Sequence, residues 1–258
     1  KTQKRLIMEV SIEKVINAYK NKGYKLFEND EKDLNLNIFG VRATDKTPDL
    51  FNDVVCLLWN YNNNWTLKKY KATTDAGLFY LKKTLNVKGT AILVPGQYLG
   101  AYKVGLHTGY KALQQVKPMS YYRDNNKDNK FDFDPKSIVT EIAATNIHHA
   151  GVDSSIVSNW SAGCQVLAKI NEWNDFISIC DKAKDIHGNS FSYTLFDEAD
   201  IVVAHNGIKF DIPKINARFA KHGIHPPSPY RQVDTLQIAK KSFAFTSYPE
   251  GYVPSAGT

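Results

Sequence analysis

The sequence predicts an α+β protein, with a β-rich unit and flanking helices over residues 1–196 and a small partial α/β segment over 197–246. Short apolar stretches separated by Gly, Pro and Asn fill the first unit, as is typical of strands. After residue 196 strand and helix patterns alternate, as in half of an α/β layer fold. Residues 247–258 lack periodicity, and we expect them to be a disordered tail.

The chain has 258 residues, of which 43% are hydrophobic, and a net charge of +7. That length and apolar content can bury one large core or two modest ones, which excludes disordered and fibrous classes. No stretch has the roughly 18 apolar residues of a membrane span and no signal-like segment is visible, so we expect a soluble protein. The positive charge favours anionic partners such as nucleic acid or a bacterial wall, and a solvated basic surface is the simpler interpretation.

A helix is predicted near the start, because Ser11 can cap it and Gly23 can end it. Between them apolar residues recur at helical spacing: Ile12, Val15, Ile16 and Tyr19. Residues 34–90 then have a β-rich pattern, with strands over 54–61 and 65–72 that a short turn joins into a hairpin.

Further strands are predicted between Gly and Pro residues, over 91–94, 98–104, 120–122 and 191–196. A helix is predicted over 172–186, where one stripe holds Trp173, Phe176, Ile177 and Cys180. The later elements are predicted as a strand over 200–204, a helix over 212–222, a strand over 231–235 and a helix over 236–243. We therefore place a domain boundary near residue 196.

The three cysteines, Cys56, Cys164 and Cys180, are an odd number without CxxC spacing. This pattern argues against a disulfide framework and against a cysteine zinc site. At least one thiol is therefore expected to be free, and the residues around Cys164 make it the main functional candidate.

Cys164 follows a sharp turn predicted at Ser161-Ala162-Gly163. Glycine permits a tight backbone there, so the amides of Gly163 and Cys164 can point at a developing oxyanion. His148 lies 16 residues upstream, and a strand, a loop and a second strand would return it to the thiol as a base. The predicted chemistry is thiolate acyl transfer, and the competing interpretation is a buried Cys beside a surface His pair.

Ile147-His148, a spacer and Ser161-x-Gly163-Cys164 resemble the signature of the L,D-transpeptidase (YkuD-like) family, in which Ser-His-Gly-Cys follows a His. The segment Val94-Pro95-Gly96-Gln97-Tyr98 is similar to the Thr-Pro-x-Gly-x-Phe segment of that family. The likeness covers roughly residues 50–170, and its specific part is the His and Ser-x-Gly-Cys elements.

The resemblance implies an enzyme of peptidoglycan in which Cys164 attacks a stem-peptide carbonyl, with no cofactor required for the thiol chemistry. It implies His148 as the base, with His149 as the alternative, and Ser161 and Gly163 as supports of the turn. The residues expected near the substrate are His107, Gln97, Tyr98 and Trp160.

Two positions depart from the family signature. Ala162 stands where the family has the His of Ser-His-Gly-Cys, and Val166 where it has an Arg, so we expect activity with altered specificity. A broader likeness, over about residues 8–196, is to phage and phage-like bacterial proteins. It rests on Trp-Ser-Ala-Gly-Cys-Gln, Pro-Gly-Gln-Tyr and Gly-Leu-His elements, here at 160–165, 95–98 and 105–107, and implies a lysis or wall-processing role such as that of an endolysin.

His107 lies between Gly105 and Gly109 and is a second polar group predicted for the same cleft. A hydrogen-bonded loop histidine is the simpler interpretation. Zinc peptidase chemistry would need His and carboxylate ligands at helical or hairpin spacing. No HExxH motif is present, and His107, His148 and His149 form only a weak candidate zinc cluster.

Residues 124–134 resemble a calcium loop, with oxygen ligands at positions 1, 3, 5 and 9: Asp124, Asn126, Asp128 and Asp132. Asn129 can take the left-handed turn where such loops prefer Gly. Pro135 replaces the customary Glu at position 12, which leaves Asp134 as the closing ligand. The alternative is a solvated Asn/Asp turn.

The second unit contains His205-Asn206 and Phe210-Asp211, followed by Val233-Asp234-Thr235. This resembles the middle of a DnaQ-like 3′–5′ exonuclease of the ribonuclease H-like superfamily. The resemblance implies Asp211 as one of four carboxylates that hold two divalent metals for phosphodiester hydrolysis. The other carboxylate motifs are missing, so we expect an inactive fragment, with Mg²⁺ and nucleic acid relevant only if the nuclease interpretation holds.

The leading hypothesis is therefore cysteine-dependent acyl transfer on peptidoglycan, as transpeptidation or hydrolysis. The alternatives are a metal-dependent nuclease built on Asp211 and a non-catalytic wall-binding or virion module. The sequence leaves the oligomeric state open.

Overall fold

The computed structural model describes residues 8, 10–29 and 31–201. The chain divides into two compact units, residues 1–201 and 202–258, and the described residues belong to the first. Asp211, the later predicted helices and strands, and the predicted disordered tail lie outside the described residues. Within this part of the chain, no helix is long and apolar enough to cross a membrane.

The described unit is a β-rich α+β protein, as the sequence predicts. Its α-helices are α1 (Ile12–Lys22), α2 (Leu78–Lys82), α3 (Ile170–His187) and α4 (Glu198–Ile201), and a 3-10 helix spans Pro135–Ser137. The strands are β1 (Asn37–Arg42), β2 (Asp53–Tyr61), β3 (Asn64–Thr73), β4 (Thr90–Leu93), β5 (Gly96–His107), β6 (Tyr110–Gln115), β7 (Met119–Asp124), β8 (Val139–Glu141), β9 (Ile147–His149), β10 (Gln165–Leu167) and β11 (Phe191–Asp197).

Eight of these strands form one closed mixed sheet in the order β1-β11-β5-β6-β9-β10-β3-β2, with β2 paired back onto β1. The remaining three form a separate antiparallel sheet in the order β4-β7-β8. Within the closed sheet β1 runs parallel to β11 and β9 runs parallel to β10. The second of these parallel pairs carries the candidate site.

The predicted first helix is confirmed together with its capping residues. The hydroxyl of Ser11 accepts a hydrogen bond from the Lys14 amide, and Gly23 ends the helix in the left-handed region at φ 67°. The buried face of α1 packs against strands of the closed sheet, where the ring of Tyr19 meets that of Phe196 edge-on at 5.1 Å.

The predicted hairpin is confirmed as β2 and β3, which pair from Asp53 opposite Ala72 to Tyr61 opposite Asn64. Asn62 and Asn63 connect the strands with φ values of 50° and 60°. A tight hairpin turn needs positive φ at both central residues, and asparagine tolerates it better than most side chains.

The main core fills the closed sheet and the space between that sheet and α3. The predicted apolar stripe of α3 is confirmed, because Trp173, Phe176, Ile177 and Cys180 all belong to this core. The helix packs on β5, β6, β9 and β10, so it supports the parallel pair from the core side.

A buried charge network joins the ends of β1, β2 and β3. Arg42 Nη2 lies 2.9 Å from Asp75 Oδ1, and Asp53 Oδ2 accepts from the Thr74 amide at 2.7 Å. Burial, followed by the nearby charge of Asp75, raises the pKa of Asp53 to about 6. The guanidinium therefore pairs with Asp75, while hydrogen bonds from Ala43 and Thr74 satisfy the Asp53 carboxyl group.

Two predictions about element boundaries are wrong. Residues 78–82 form helix α2 inside a region predicted to be β-rich. The strand predicted over 200–204 begins with helical residues, because α4 runs to Ile201 and Asp200 Oδ2 accepts from the Asp197 amide at 3.1 Å, as an acidic residue in the first helical turn does. The first unit accordingly extends to residue 201 rather than ending near 196.

Candidate active site

The parallel pairing of β9 with β10 determines which side chains share a face. Val166 pairs with His148, and Ile147 and Leu167 point into the main core. Because side chains alternate along a strand, His148 and Val166 point to the opposite face. Cys164 lies two residues before Val166 and packs with it in a separate apolar cluster, so Cys164 shares the face of His148.

Cys164 and His148 are diagonal neighbours on that face. The Gln165 amide donates to the Asn146 carbonyl at 3.0 Å, which sets Cys164 beside Asn146 and two residues from His148 along β9. With a strand spacing of about 4.8 Å and a rise of about 3.3 Å per residue, the two Cα atoms are about 8 Å apart. The predicted strand, loop and second strand thus bring the two backbones together, but the side chains are not hydrogen-bonded: Sγ contacts the Ala144 carbonyl oxygen, and His148 Nε2 has no partner among the described residues.

The thiol of Cys164 is nearly buried and is protonated at neutral pH. The residue is 8% exposed, and Sγ lies 4.0 Å from the Ala144 carbonyl oxygen. Burial raises the pKa of Cys164 to about 11, although the Asn146 amide acts in the opposite direction. Cys56 and Cys180 are also free thiols, but both are fully buried in core clusters.

His148 presents an unprotonated ring nitrogen. Its Nδ1 lies 2.9 Å from the His149 carbonyl oxygen, and since a carbonyl only accepts, Nδ1 carries the proton and Nε2 the lone pair. Nε2 is buried and has no hydrogen-bond partner among the described residues. Burial lowers the pKa of His148 to about 4, so the imidazole is neutral at pH 7.

His107 joins the same cluster, as the sequence predicts. Its ring stacks on that of His148 with centroids 4.3 Å apart and planes 17° apart. The side-chain amide of Asn146 donates to Nδ1 of His107 at 3.0 Å, and burial lowers the pKa of His107. The hydroxyl of Tyr110 lies 3.2 Å from Nδ1 of His148 and completes the cluster.

The sequence analysis did not include Asn146 and Tyr110, although the position of each relative to a predicted histidine could have indicated it. Asn146 precedes His148 by two residues, so strand alternation alone puts the two side chains on one face. Tyr110 pairs with His107 across a two-residue turn in which Thr108 and Gly109 both have positive φ.

The register favours His148 over His149 as the base. His149 alternates to the other face of β9, and its ring lies 5.9 Å from that of Trp173 on α3. Its Nδ1 is hydrogen-bonded to the Ala150 carbonyl.

Ser161 and Gly163 support the turn before Cys164, as predicted. The Ser161 hydroxyl donates to the Cys164 carbonyl at 2.8 Å and accepts from the Gly163 amide at 3.1 Å. Gly163 has φ 122°, and a Cβ there would lie 2.6 Å from the Ala91 carbonyl oxygen, so only glycine fits. The prediction that the Gly163 amide faces an oxyanion is wrong in this conformation, because Ser161 already engages it.

A cavity of about 280 Å³ lies beside this turn. Ala144, whose carbonyl oxygen lies 4.0 Å from Cys164 Sγ, and Ala162 both line it, whereas Cys164 and His148 are not among its lining residues. Its polar wall includes Arg123 and Glu141, which form an ion pair. Trp160 is 41% exposed on the connection from β9 to β10.

Two residues predicted near the substrate have structural roles elsewhere. Gln97 donates to the Lys25 carbonyl at 2.7 Å and accepts from the Lys25 amide at 2.8 Å, and Tyr98 donates to the Val94 carbonyl at 2.6 Å. Gln97 lies near the start of β5, whereas His107 ends it. The side chains of Gln97 and Tyr98 are thus engaged by Lys25 and Val94 rather than by Cys164.

Comparison with known protein families, curated proteins and solved structures finds no match to this chain. The likeness to L,D-transpeptidases therefore depends on the motif residues alone. The weak zinc cluster of three histidines is not formed, since no three His, Cys, Asp or Glu side chains in the described ranges are placed to hold a metal ion.

Iodoacetamide should modify Cys164 before Cys56 and Cys180 in the native protein, because only Cys164 has measurable exposure. The rate should rise about tenfold per pH unit between pH 7 and pH 9, because the thiolate reacts and the pKa is about 11. Peptide mapping by mass spectrometry over time gives the rates, and urea-unfolded protein, in which all three thiols react, is the control. A rate independent of pH would indicate a resting thiolate and contradict the neutral pair.

Acid should destabilise the fold partly through His148. Its folded pKa of about 4 lies below the unfolded value of 6.5, so the unfolded chain binds the proton first and stability is lost as the pH falls from 6.5 to 4. The loss attributable to this group is about 3 kcal/mol. In His148→Gln the difference in unfolding free energy between pH 7 and pH 4, measured with urea, should shrink by about that amount.

The exposed His187 provides the matched control for this measurement. His187→Gln should keep the wild-type difference between the two pH values. An unchanged difference in His148→Gln would show that the imidazole is not buried in its neutral form.

Proposed function

We propose that the protein is a cysteine-dependent acyl-transfer enzyme that acts on peptidoglycan stem peptides, by transpeptidation or hydrolysis. One observation carries the proposal: Cys164 and a His148 imidazole with an unprotonated Nε2 share a face of two adjacent parallel strands. Nucleophilic catalysis by cysteine requires a thiol and an unprotonated imidazole that can reach each other, and the shared face allows this once His148 Nε2, which has no partner in the resting structure, turns to Sγ.

The resting pair is neutral rather than ionic. The pKa values of about 11 for Cys164 and about 4 for His148 differ by seven units. Proton transfer at rest therefore costs roughly 10 kcal/mol before the attraction between the two charges is counted. We infer that the proton moves from Sγ to Nε2 only as Sγ bonds to the substrate carbonyl carbon, with His148 as a general base.

The remaining steps use the same two groups. His148 returns its proton to the amine that leaves when the carbon–nitrogen bond breaks, and Cys164 holds the acyl group as a thioester. An incoming amine or water then loses its proton to Nε2 as it attacks, and the thiol is regenerated. The His149 carbonyl, which accepts from Nδ1, stabilises the imidazolium that forms in each step.

The cavity beside the turn is the proposed binding site for the stem peptide. Ala162 lines the cavity at the position where the L,D-transpeptidase signature has a His, and Ala144, whose carbonyl oxygen lies 4.0 Å from Cys164 Sγ, lines it too. Residues 1–196 also carry +6 of the +7 net charge, which favours approach to an anionic wall.

Digestion or cross-linking of purified peptidoglycan should depend on Cys164 and His148. Cys164→Ala should abolish product formation, and His148→Gln should reduce the rate by about 10² to 10⁴ because the general base is lost. Muropeptide analysis by liquid chromatography and mass spectrometry measures both, and an added D-amino acid separates transfer from hydrolysis by its incorporation.

His187→Gln, a substitution of an exposed histidine far along the chain on α3, is the matched control and should retain full activity. Unchanged product formation by Cys164→Ala would overturn the proposal. Binding of the wild type to walls without any product would instead support a non-catalytic wall-binding module.

A further inference from the structure

The loop that joins β7 to the 3-10 helix holds a buried carboxylate oxygen without a partner. Asp124 is 1% exposed, and its Oδ2 accepts from the Asp132 amide across the loop at 3.0 Å. Its Oδ1 is buried and has no hydrogen-bond partner among the described residues. An unpaired buried carboxylate oxygen is costly, so a ligand or a proton must satisfy it.

Two other oxygen-bearing residues of the loop are linked to this carboxylate through hydrogen bonds. The side-chain amide of Asn126 donates to Asp132 Oδ2 at 2.7 Å, so Asp124, Asn126 and Asp132 are linked by single hydrogen bonds. Asp128 follows on the same loop, and Asn129 has φ 69°, the left-handed conformation predicted for it. In the part of the chain that the structure describes, no Lys or Arg forms an ion pair with these three aspartates.

The charge and chemistry of this loop favour a hard cation. Residues 124–134 contain four Asp and two Lys, so the loop carries −2 within a chain of net +7. Carboxylate, amide and main-chain oxygens are the donors that Ca²⁺ prefers, at alternate positions of a short loop.

We propose that this loop binds Ca²⁺ through side-chain oxygens of Asp124, Asn126, Asp128 and Asp132, with the Lys130 carbonyl as a further ligand. The described residues contain no ready-made group of three carboxylate, His or Cys ligands. The three aspartates therefore do not converge in this conformation, and binding requires Asp128, whose Oδ1 accepts from the Lys130 amide at 2.9 Å, to turn inward.

The sequence prediction included Asp134 as the closing ligand, and the structure corrects it. Asp134 is the N-cap of the 3-10 helix, where its Oδ1 accepts from the Lys136 amide at 2.9 Å. Its side chain is already used in ending the loop.

A bound ion would fix the connection between β7 and β8. The Arg123 amide donates to Ser137 Oγ at 3.1 Å, and Arg123 Nε donates to Glu141 at 3.0 Å, so both ends of the loop attach to the small sheet. The site is therefore structural, and its existence does not depend on the chemistry of Cys164.

Calorimetric titration of the chelator-treated full chain with CaCl₂ tests the proposal. The wild type should bind one Ca²⁺ with a Kd of roughly 10⁻⁴ to 10⁻³ M, and saturating Ca²⁺ should raise its Tm. Asp124→Asn should weaken binding at least tenfold. Asn126→Ala should do the same, and since Asn126 is exposed, this variant keeps the test valid if Asp124→Asn folds poorly.

Asp134→Asn is the matched control, because it removes the same charge from the same loop and keeps a capping oxygen. It should bind Ca²⁺ as the wild type does. The proposal is overturned by a wild type with neither heat of binding nor a Tm shift at 10 mM CaCl₂. It is equally overturned by unchanged binding in Asp124→Asn and Asn126→Ala, or by equal losses in Asp134→Asn and Asp124→Asn.

Discussion

The parallel pairing of β9 with β10 is the constraint on which the candidate site depends. Parallel neighbours cannot be joined by a hairpin, so the chain must travel over residues 150–164 before it can pair again. It re-enters the sheet through a turn in which only glycine fits at position 163. The Ser161 hydroxyl stabilises this turn by donating to the Cys164 carbonyl and accepting from the Gly163 amide. A slip of one residue would turn Cys164 into the main core and Gln165 out of it, and the shared face with His148 would be lost.

Burial determines how the cluster on that face works. His148 is 2% exposed and Cys164 is 8% exposed, so both neutral forms are favoured and a resting ion pair is not. The same burial leaves Nε2 without a partner while the His149 carbonyl fixes the proton on Nδ1. His107 stacks on His148 and accepts a hydrogen bond from Asn146. Its neutral ring covers the His148 ring without placing a charge beside it. Both side chains are therefore neutral at pH 7 in the resting protein.

Helix ends and turns were predicted correctly from the sequence where the conformational preference of one residue determines them. Caps at Ser11 and Gly23, the Asn62-Asn63 turn and the left-handed Asn129 each follow from one residue's conformational preference. β9 and β10 could not be predicted from periodicity because each has three residues, and their pairing depends on the whole closed sheet. Motif likeness singled out His148 and Cys164, whose roles stay predictions. It also predicted Gln97 near the substrate, although Gln97 is hydrogen-bonded to Lys25, because a sequence pattern does not show what a side chain contacts. Asp134 was predicted to be a calcium ligand but caps the 3-10 helix, because aspartate is common both as a helix N-cap and as a calcium ligand.

The most direct test of the account is the intact mass of the protein quenched during turnover of a purified stem tetrapeptide. The account predicts a mass increase equal to the acyl part of the substrate, on the peptide that contains Cys164, and no increase in Cys164→Ala. Turnover without an adduct, or an adduct on Cys56 or Cys180, would contradict it.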